Sequence, residues 1–334
     1  MKRIGKRTIE FERPPRIIVS AAVSGRKEAD GPVASDMDQT FDDTRLGAKT
    51  WEQAEALLQK EAAGLAMDKA GISPENVDII FAGDLLNQCI ASTYGLRELN
   101  IPFLGQYGAC STMAQTLLMA GMAVESGAAR TAAAVTSSHF CSAERQFRMP
   151  LEYGGQRTPT AQWTATASGC ALVGDYGNVC IKHGIVGKIV DLGIKDSANM
   201  GAAMAPAAAD SLFEYFSDTG TEPRDYDAVF TGDLAEVGSR LLYELLMEEN
   251  IDLLPVHRDC GLMLFDNKAQ DVHSGGSGCG CSAAVLCGHI LGGFGKGIYK
   301  NVLFAATGAL MSPTSSQQGE SIPGISHVVH LTID

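Results

Sequence analysis

The sequence predicts an α/β fold built twice over: two halves of alternating strands and helices, with mainly parallel sheets, stacked in five layers as αβαβα. Three observations predict it. Residues 77–86 read Val-Asp-Ile-Ile-Phe-Ala-Gly-Asp-Leu-Leu and residues 226–235 read Tyr-Asp-Ala-Val-Phe-Thr-Gly-Asp-Leu-Ala. Asp78, Phe81, Gly83, Asp84 and Leu85 therefore recur as Asp227, Phe230, Gly232, Asp233 and Leu234 at one offset (227 − 78 = 149). Strand-like and helix-like stretches alternate through both halves, which calls for parallel sheets covered on both faces. The 334 residues also exceed the usual length of one domain.

The elements follow in order. Residues 16–23 read as a first buried strand, and residues 51–71 have helical spacing that stops at Gly71. The strand at 77–83 precedes a helix near 92–99 and a short strand at 102–106. After Gly-Ala-Cys-Ser-Thr (108–112) a long helix runs to about 126, and a strand at 131–137 closes the unit. Residues 141–163, charged and punctuated by Gly and Pro, read as an excursion loop before a strand region at 165–173. In the second half, 184–194 is strand-like, 207–216 helical, 227–231 the repeated strand and 239–249 helical. A Gly/Cys-rich turn at 275–281 leads to a helix at 282–293 and a closing strand at 302–306. The two halves are thus placed at 1–183 and 184–334.

Composition bounds the function. Hydrophobic content of 45%, 19% charged residues and 37 glycines describe a globular protein. A net charge of −13 argues against a nucleic-acid partner, because phosphate binding needs clustered Lys and Arg. The basic N-terminal arm (Lys2, Arg3, Lys6, Arg7) reads as a frayed, solvated end rather than a membrane anchor. Nine cysteines without zinc-type pairing, and no leader pattern, point to reduced thiols in the cytoplasm, with no metal site. The stretch 99–124 carries no formal charge but is broken by Pro102, glycines and amides, so no transmembrane segment is expected.

Cys110 stands at the start of a long uncharged helix, just after a strand. Free N–H groups and the dipole at a helix start lower a thiol's pKa and would make a nucleophile. The alternative is a small buried residue at a tight turn.

Residues 108–138, from Gly-Ala-Cys-Ser-Thr-Met-Ala-Gln onward, resemble the active-cysteine helix of the thiolase and ketoacyl-synthase III superfamily. Thr166-Ala-Ser-Gly-Cys-Ala-Leu-Val-Gly-Asp175 is similar to that superfamily's Gly-rich strand, and Ala306-Thr-Gly-Ala-Leu-Met311 sits where it has a closing glycine turn. The resemblance implies the thiolase-like fold. Within the superfamily, Phe81-Ala-Gly-Asp-Leu-Leu-Asn-Gln and Asn199-Met-Gly-Ala-Ala-Met-Ala-Pro-Ala-Ala most resemble the stage V sporulation AD family, from the dipicolinate-transport machinery of endospore formers.

The superfamily's chemistry requires a His and an Asn beside the cysteine. The resemblance places the His on Gly232, and counting back from the 302 strand places the Asn on Ser277. Two of three partners are missing. His289 reads as mid-helix and structural. His273, followed by Ser-Gly-Gly-Ser-Gly, is a credible pocket residue, and the catalytic pair would be Cys110 and His273 if the protein were active. Thr307-Gly308 supplies no second cysteine.

The resemblance implies a non-catalytic sporulation protein that binds dipicolinic acid, free or as its calcium chelate, and supports its uptake into the spore. It would need no cofactor. Expected ligand-binding residues are Cys110, His139, Arg145, Arg148, Arg157, Lys195, Asn199 and His273. Asp84 and Asp233 would be oxygen ligands if calcium came with the ligand, though their repetition suggests a turn role first. Expected partners are membrane proteins of the same transport system, the protein lying peripherally on the forespore membrane, with a homodimer formed through the 102–106 strand. The rival reading is an acyltransferase using Cys110 and coenzyme A; a third is a structural subunit with a vestigial pocket.

Overall fold

The structure, a computed structural model, describes residues 1–148 and 157–333, the side chain of Arg148 excepted. In the first half the strands are β1 (Arg16–Gly25), β2 (Ile79–Gly83), β3 (Phe103–Gly105), β4 (Ala132–Ser138) and β5 (Ala167–Gly174). The second half supplies β6 (Val179–Ile185), β7 (Ala228–Thr231), β8 (His257–Asp259), β9 (Asn301–Ala309) and β10 (Gly324–Thr332). The hydrogen-bonded order is β3-β2-β4-β5-β1 in one half and β8-β7-β9-β10-β6 in the other. That is one topology used twice. In each half a single strand, β5 or β10, runs against its neighbours, and the other ladders of β2 and β7 are parallel. The halves join where β6 pairs with β1 at Val179 and Ile17. The sequence-based division at 183/184 falls within β6.

The helices complete five layers. α1 (Trp51–Ala70) covers the outer face of β1, β4 and β5, and packs on α2 (Ile90–Leu96). α3 (Thr112–Glu125) lies between the sheets, against β2 and β4 on one side and β9 and β10 on the other. α4 (Phe140–Arg148) follows β4. α5 (Met200–Thr219) covers β9 and β10 from outside and carries α6 (Ala235–Glu248). The short α7 (Cys260–Leu264) leads to α8 (Cys279–Ala284), which packs against β4 and β5 of the first half and continues through a π-helical turn, Val285–Ile290.

Local chemistry sets the boundaries. The Thr50 hydroxyl accepts from Gln53 N to cap α1, and Gly71 ends it at φ 64°. Asn199 and Gly220 (φ 65°) do the same for α5. The duplicated aspartates are clamps. Asp78 Oδ2 accepts from the amides of Arg130 and Thr131, which lead into β4; Asp227 Oδ2 accepts from those of Lys300 and Asn301, which lead into β9. Each ties the second strand of its half to the fourth.

Four sequence expectations are corrected. The N-terminal arm is not frayed: Lys2–Ile4 and Thr8–Glu10 form a hairpin that pairs with β6. Asp218, at the end of α5, accepts from the amides of Lys6, Arg7 and Thr8, and Arg7 pairs with Asp210. Residues 141–148, read as loop from the charge and the Gly and Pro of the 141–163 stretch, belong to α4, which is strongly amphipathic. The strand expected at 184–194 is β6, five residues earlier; 186–199 runs irregularly with one bridge, Val190 to Gly324. β10, inside its sheet between β9 and β6, had no counterpart in the sequence reading.

Candidate active-site pocket

Cys110 emerges from a strained turn. Ala109, just before it, has φ 51°, a left-handed conformation costly for a residue with a side chain. The turn is closed by hydrogen bonds from Ser111 Oγ to Gly108 O (2.7 Å) and from Thr112 Oγ1 to Ala109 O (2.6 Å). Gly308, on β9, lies directly behind it. A Cβ there would come within 2.2 Å of Gly108 O, so only glycine lets β9 support the cysteine turn.

The expected thiolate is not what this setting favours. Burial pushes the Cys110 thiol well above its ordinary pKa, and the Asp233 carboxyl beside it pushes further; the Ser277 hydroxyl and Gly278 amide oppose only weakly. Cys110 Sγ stands 3.9 Å from Ser277 Oγ. Ser277 Oγ in turn donates to Asp233 Oδ2 (3.1 Å), which also accepts from Gly278 N (2.8 Å). Asp233 Oδ1 accepts from Thr307 Oγ1 (3.0 Å). Burial raises the Asp233 pKa to about 6, against the hydrogen bonds from Cys110, Gly278 and Thr307. A helix start lowers a thiol's pKa only where nothing stronger opposes it, and here burial and a carboxylate do.

The two repeated aspartates have diverged in use. Asp84 closes its own turn, accepting from Leu86 N and from both the amide and hydroxyl of Ser92. Asp233 instead reaches across to the loop before α8 and to the cysteine.

Next to Cys110 lies a pocket of about 80 Å³. Leu85, Phe147, Met200, Met204 and Met311 give it apolar walls; Tyr107, Gln162, Thr164, Ser197 and Ser277 supply polar groups, and Glu144 lines one side. Among the described residues no histidine, arginine or lysine lines it.

Of the residues expected from sequence, the structure brings Cys110 and Ser277 together, and Gly232 lies just before Asp233 on the β7 turn. Asn199 caps α5, accepting from Ala202 N, beside the lining residues Ala198 and Met200. His139 is buried outside the lining: Nε2 donates to Thr44 O (2.9 Å), Nδ1 accepts from Cys141 N, and burial lowers its pKa. Arg145 pairs with Glu52 (2.5 Å) on the outer side of α4. The Arg148 side chain lies outside the described residues. Arg157 donates to Gln162 O and stacks on Trp163, 4.9 Å from the ring centroid. Lys195 is exposed on the irregular 186–199 segment. His273 is 3.3 Å from Asp271 and does not line the pocket. His289 sits in the π-helical turn, Nδ1 2.7 Å from Asp36.

Gln162, Tyr107, Thr164 and Glu144 were not anticipated. Gln162 and Thr164 reach the site because residues Trp163–Thr164 pair with Gly276–Ser277, a contact between segments far apart in sequence. All nine cysteines are free thiols. Among the described residues no group of three or more His, Cys, Asp or Glu is placed to hold a metal ion, and no helix is long and apolar enough to cross a membrane.

Residues 5–332 match the family model for stage V sporulation protein AD (SpoVAD). The stage V sporulation protein AD of Bacillus subtilis (strain 168) is 44% identical over 330 residues, covering 98% of this chain and 97% of the relative. The chain belongs to the stage V sporulation protein AD family. Solved structures place the fold of this SpoVAD-family chain. The 3-oxoacyl-[acyl-carrier-protein] synthase III of Aquifex aeolicus superposes with a TM-score of 0.60 at 13% identity, over 95% of this chain and 99% of that one. The priming β-ketosynthase of the R1128 polyketide pathway gives 0.57 at 15% identity, over 98% of each chain. The fold of the SpoVAD-family chain is therefore that of the synthase III and thiolase group, as the sequence resemblance implied.

Proposed function

We propose that this chain is a non-catalytic thiolase-fold protein of sporulation that binds dipicolinic acid and supports its uptake into the developing spore. The observation that carries the reading is the setting of Cys110. Its thiol is held protonated beside the Asp233 carboxyl and the Ser277 hydroxyl, where a condensing enzyme needs an imidazole and an amide. A neutral thiol is a poor nucleophile, but the pocket around it still suits a small flat ligand. Phe147 and the three methionines form an apolar slot for a ring, and hydroxyls of Tyr107, Thr164 and Ser197 can donate to carboxylates. The calcium chelate of dipicolinate is neutral overall, which also suits a lining without cations among the described residues.

The protein acts, in this reading, beside membrane proteins of the same transport system, peripherally on the forespore membrane. It pairs with a second copy through β3, whose Phe103 and Leu104 are exposed at the sheet edge.

Calorimetry with dipicolinate, with and without calcium, tests the reading directly. Saturable heat with one ligand per chain supports it. The rival acyltransferase predicts a mass increase on Cys110 after incubation with a short acyl-coenzyme A, abolished by Cys110→Ser; that adduct without dipicolinate binding would reverse the assignment.

A further inference from the structure

His183 on β6 and His330 on β10 lie directly opposite one another. A bulge arranges this. Ile181 opposes Leu331, and one extra residue on β6, Lys182, brings His183 rather than a lysine opposite His330. The two Nδ1 atoms are 3.3 Å apart. The hydrogen bonds around them decide where the protons sit. Asn301 Nδ2 donates to Asp225 O (2.7 Å), which turns Asn301 Oδ1 toward His330; Oδ1 accepts from His330 Nε2 (2.5 Å), and His330 Nδ1 is left bare. Tyr226 donates to the Tyr215 hydroxyl (3.3 Å). The other neighbour of that hydroxyl among the described residues is His183 Nδ1 (3.1 Å), so Tyr215 donates there and His183 keeps its proton on Nε2. Two lone pairs therefore face one another with no proton between them. Burial, with Lys182 acting in the same direction, lowers the pKa of His183 to about 4 and that of His330 to about 3, so a shared proton does not fill the gap at neutral pH.

The gap has the size of a metal ion. Two imidazole nitrogens on one tetrahedral zinc, each about 2.0–2.1 Å from it, lie roughly 3.3–3.4 Å apart. The Asn301 carbonyl is also the partner a metal-bound histidine needs, because it fixes which ring nitrogen is free. His183, His330, Tyr226 and Asn301 line an open pocket of about 520 Å³, which gives an ion access from solvent. The charges around it are Lys182, Lys300 and Asp225 on the rim, with Glu10 opposite His183 on the N-terminal hairpin.

We propose that His183 and His330 form a binding site for a divalent transition metal of the zinc class, each ligating through Nδ1, with the Tyr215 oxygen and water completing the shell. Imidazole is a preferred ligand of such ions. The ion takes the place of the Tyr215–His183 hydrogen bond, and both imidazoles and the phenol keep their protons. The site is separate from the Cys110 pocket and does not depend on what that pocket binds. It would tie β6, the strand that joins the halves, to β10 and to α5.

The full chain, stripped with EDTA and exchanged into chelator-free buffer, is titrated with zinc chloride in competition with a chromophoric chelator. One zinc ion per chain is expected, and the melting temperature should rise with zinc concentration. His183→Gln and His330→Gln should each weaken binding at least about tenfold, and Asn301→Leu about tenfold, because His330 then loses the group that fixes its tautomer. Cys141→Ser, which removes the one thiol that is not fully buried, should leave the affinity unchanged. X-ray absorption of the zinc-loaded wild type should show imidazole scattering and no sulfur shell; it decides the matter if a variant fails to melt as a folded protein. A sulfur shell, affinity retained in either histidine variant, or no binding at about 0.1 mM zinc overturns the proposal, the last leaving the pair as a structural contact only.

Discussion

The Asp233 carboxyl and the Cys110 thiol face one another with Ser277 between them, its hydroxyl 3.1 Å from the carboxylate and 3.9 Å from the sulfur. The carboxylate makes the thiolate costlier, while burial, opposed by the hydrogen bond from Cys110, makes the carboxylate itself costlier. The thiol stays protonated and the carboxyl pKa rises to about 6.

Alkylation of Cys110 by iodoacetamide should therefore be slow at pH 7.5 and speed up in Asp233→Asn. Removing the negative charge lowers the thiol pKa, and each unit of lowering is worth about tenfold in thiolate population. Labelling rates by mass spectrometry across pH 6–9 check this. Equal rates in the two proteins would show that burial alone governs the thiol.

Glu28 offers a separate pH prediction. Its carboxyl is fully buried against Thr166, whose amide it accepts at 2.8 Å, and burial raises its pKa from 4.5 to about 7. The folded chain thus holds this proton more tightly than the unfolded chain. The group's contribution is complete below pH 4.5 and is lost as pH rises through about 7, an effect of up to about 3 kcal/mol. Glu28→Gln should flatten that slope, so its melting temperature should overtake the wild type's between pH 6 and 8. A variant with an unchanged slope would place the pH dependence elsewhere.

Gly308→Ala should destabilise the protein by about 2–3 kcal/mol, because the added methyl meets Gly108 O and has backbone on both sides. Urea denaturation measures the loss. The displaced turn should also change Cys110 labelling, whereas Gly292→Ala, with open space around the added Cβ, should do neither.

Leu104→Lys places a charge on the exposed β3 edge, where the proposed dimer forms. Sedimentation should show the wild type as a dimer and the variant as a monomer with an unaltered melting temperature. A wild-type monomer at micromolar concentration would remove the dimer proposal.

Much of the architecture was legible because it rests on local signals. Thr50 and Gly71 bracket α1, and the Asp78 and Asp227 repeats mark equivalent strands. Counting back from the closing strand put Ser277 beside Cys110, where the structure has it. What sequence could not show was contact between distant segments. Gln162 enters the site because its segment pairs with residues near 276, and neither stretch has a strand's periodicity. His139 follows a strand at the end where ligands bind, yet Trp51 and Thr44 enclose it from α1 and the loop before it. The charge of Asp233 was visible; that it faced the thiol was not.

The central layer has one more consequence. α3 belongs to the first half but rests on β9 and β10, and α8 belongs to the second but rests on β4 and β5. Each half has a limb inside the other, like two clasped hands. A clamshell protein releases its cargo by swinging its lobes apart, but here each lobe holds a helix of the other. If the pocket holds the proposed dipicolinate, exchange is a matter of side chains stepping aside at its rim, so covalent staples between the halves should leave the rate of its release unaltered.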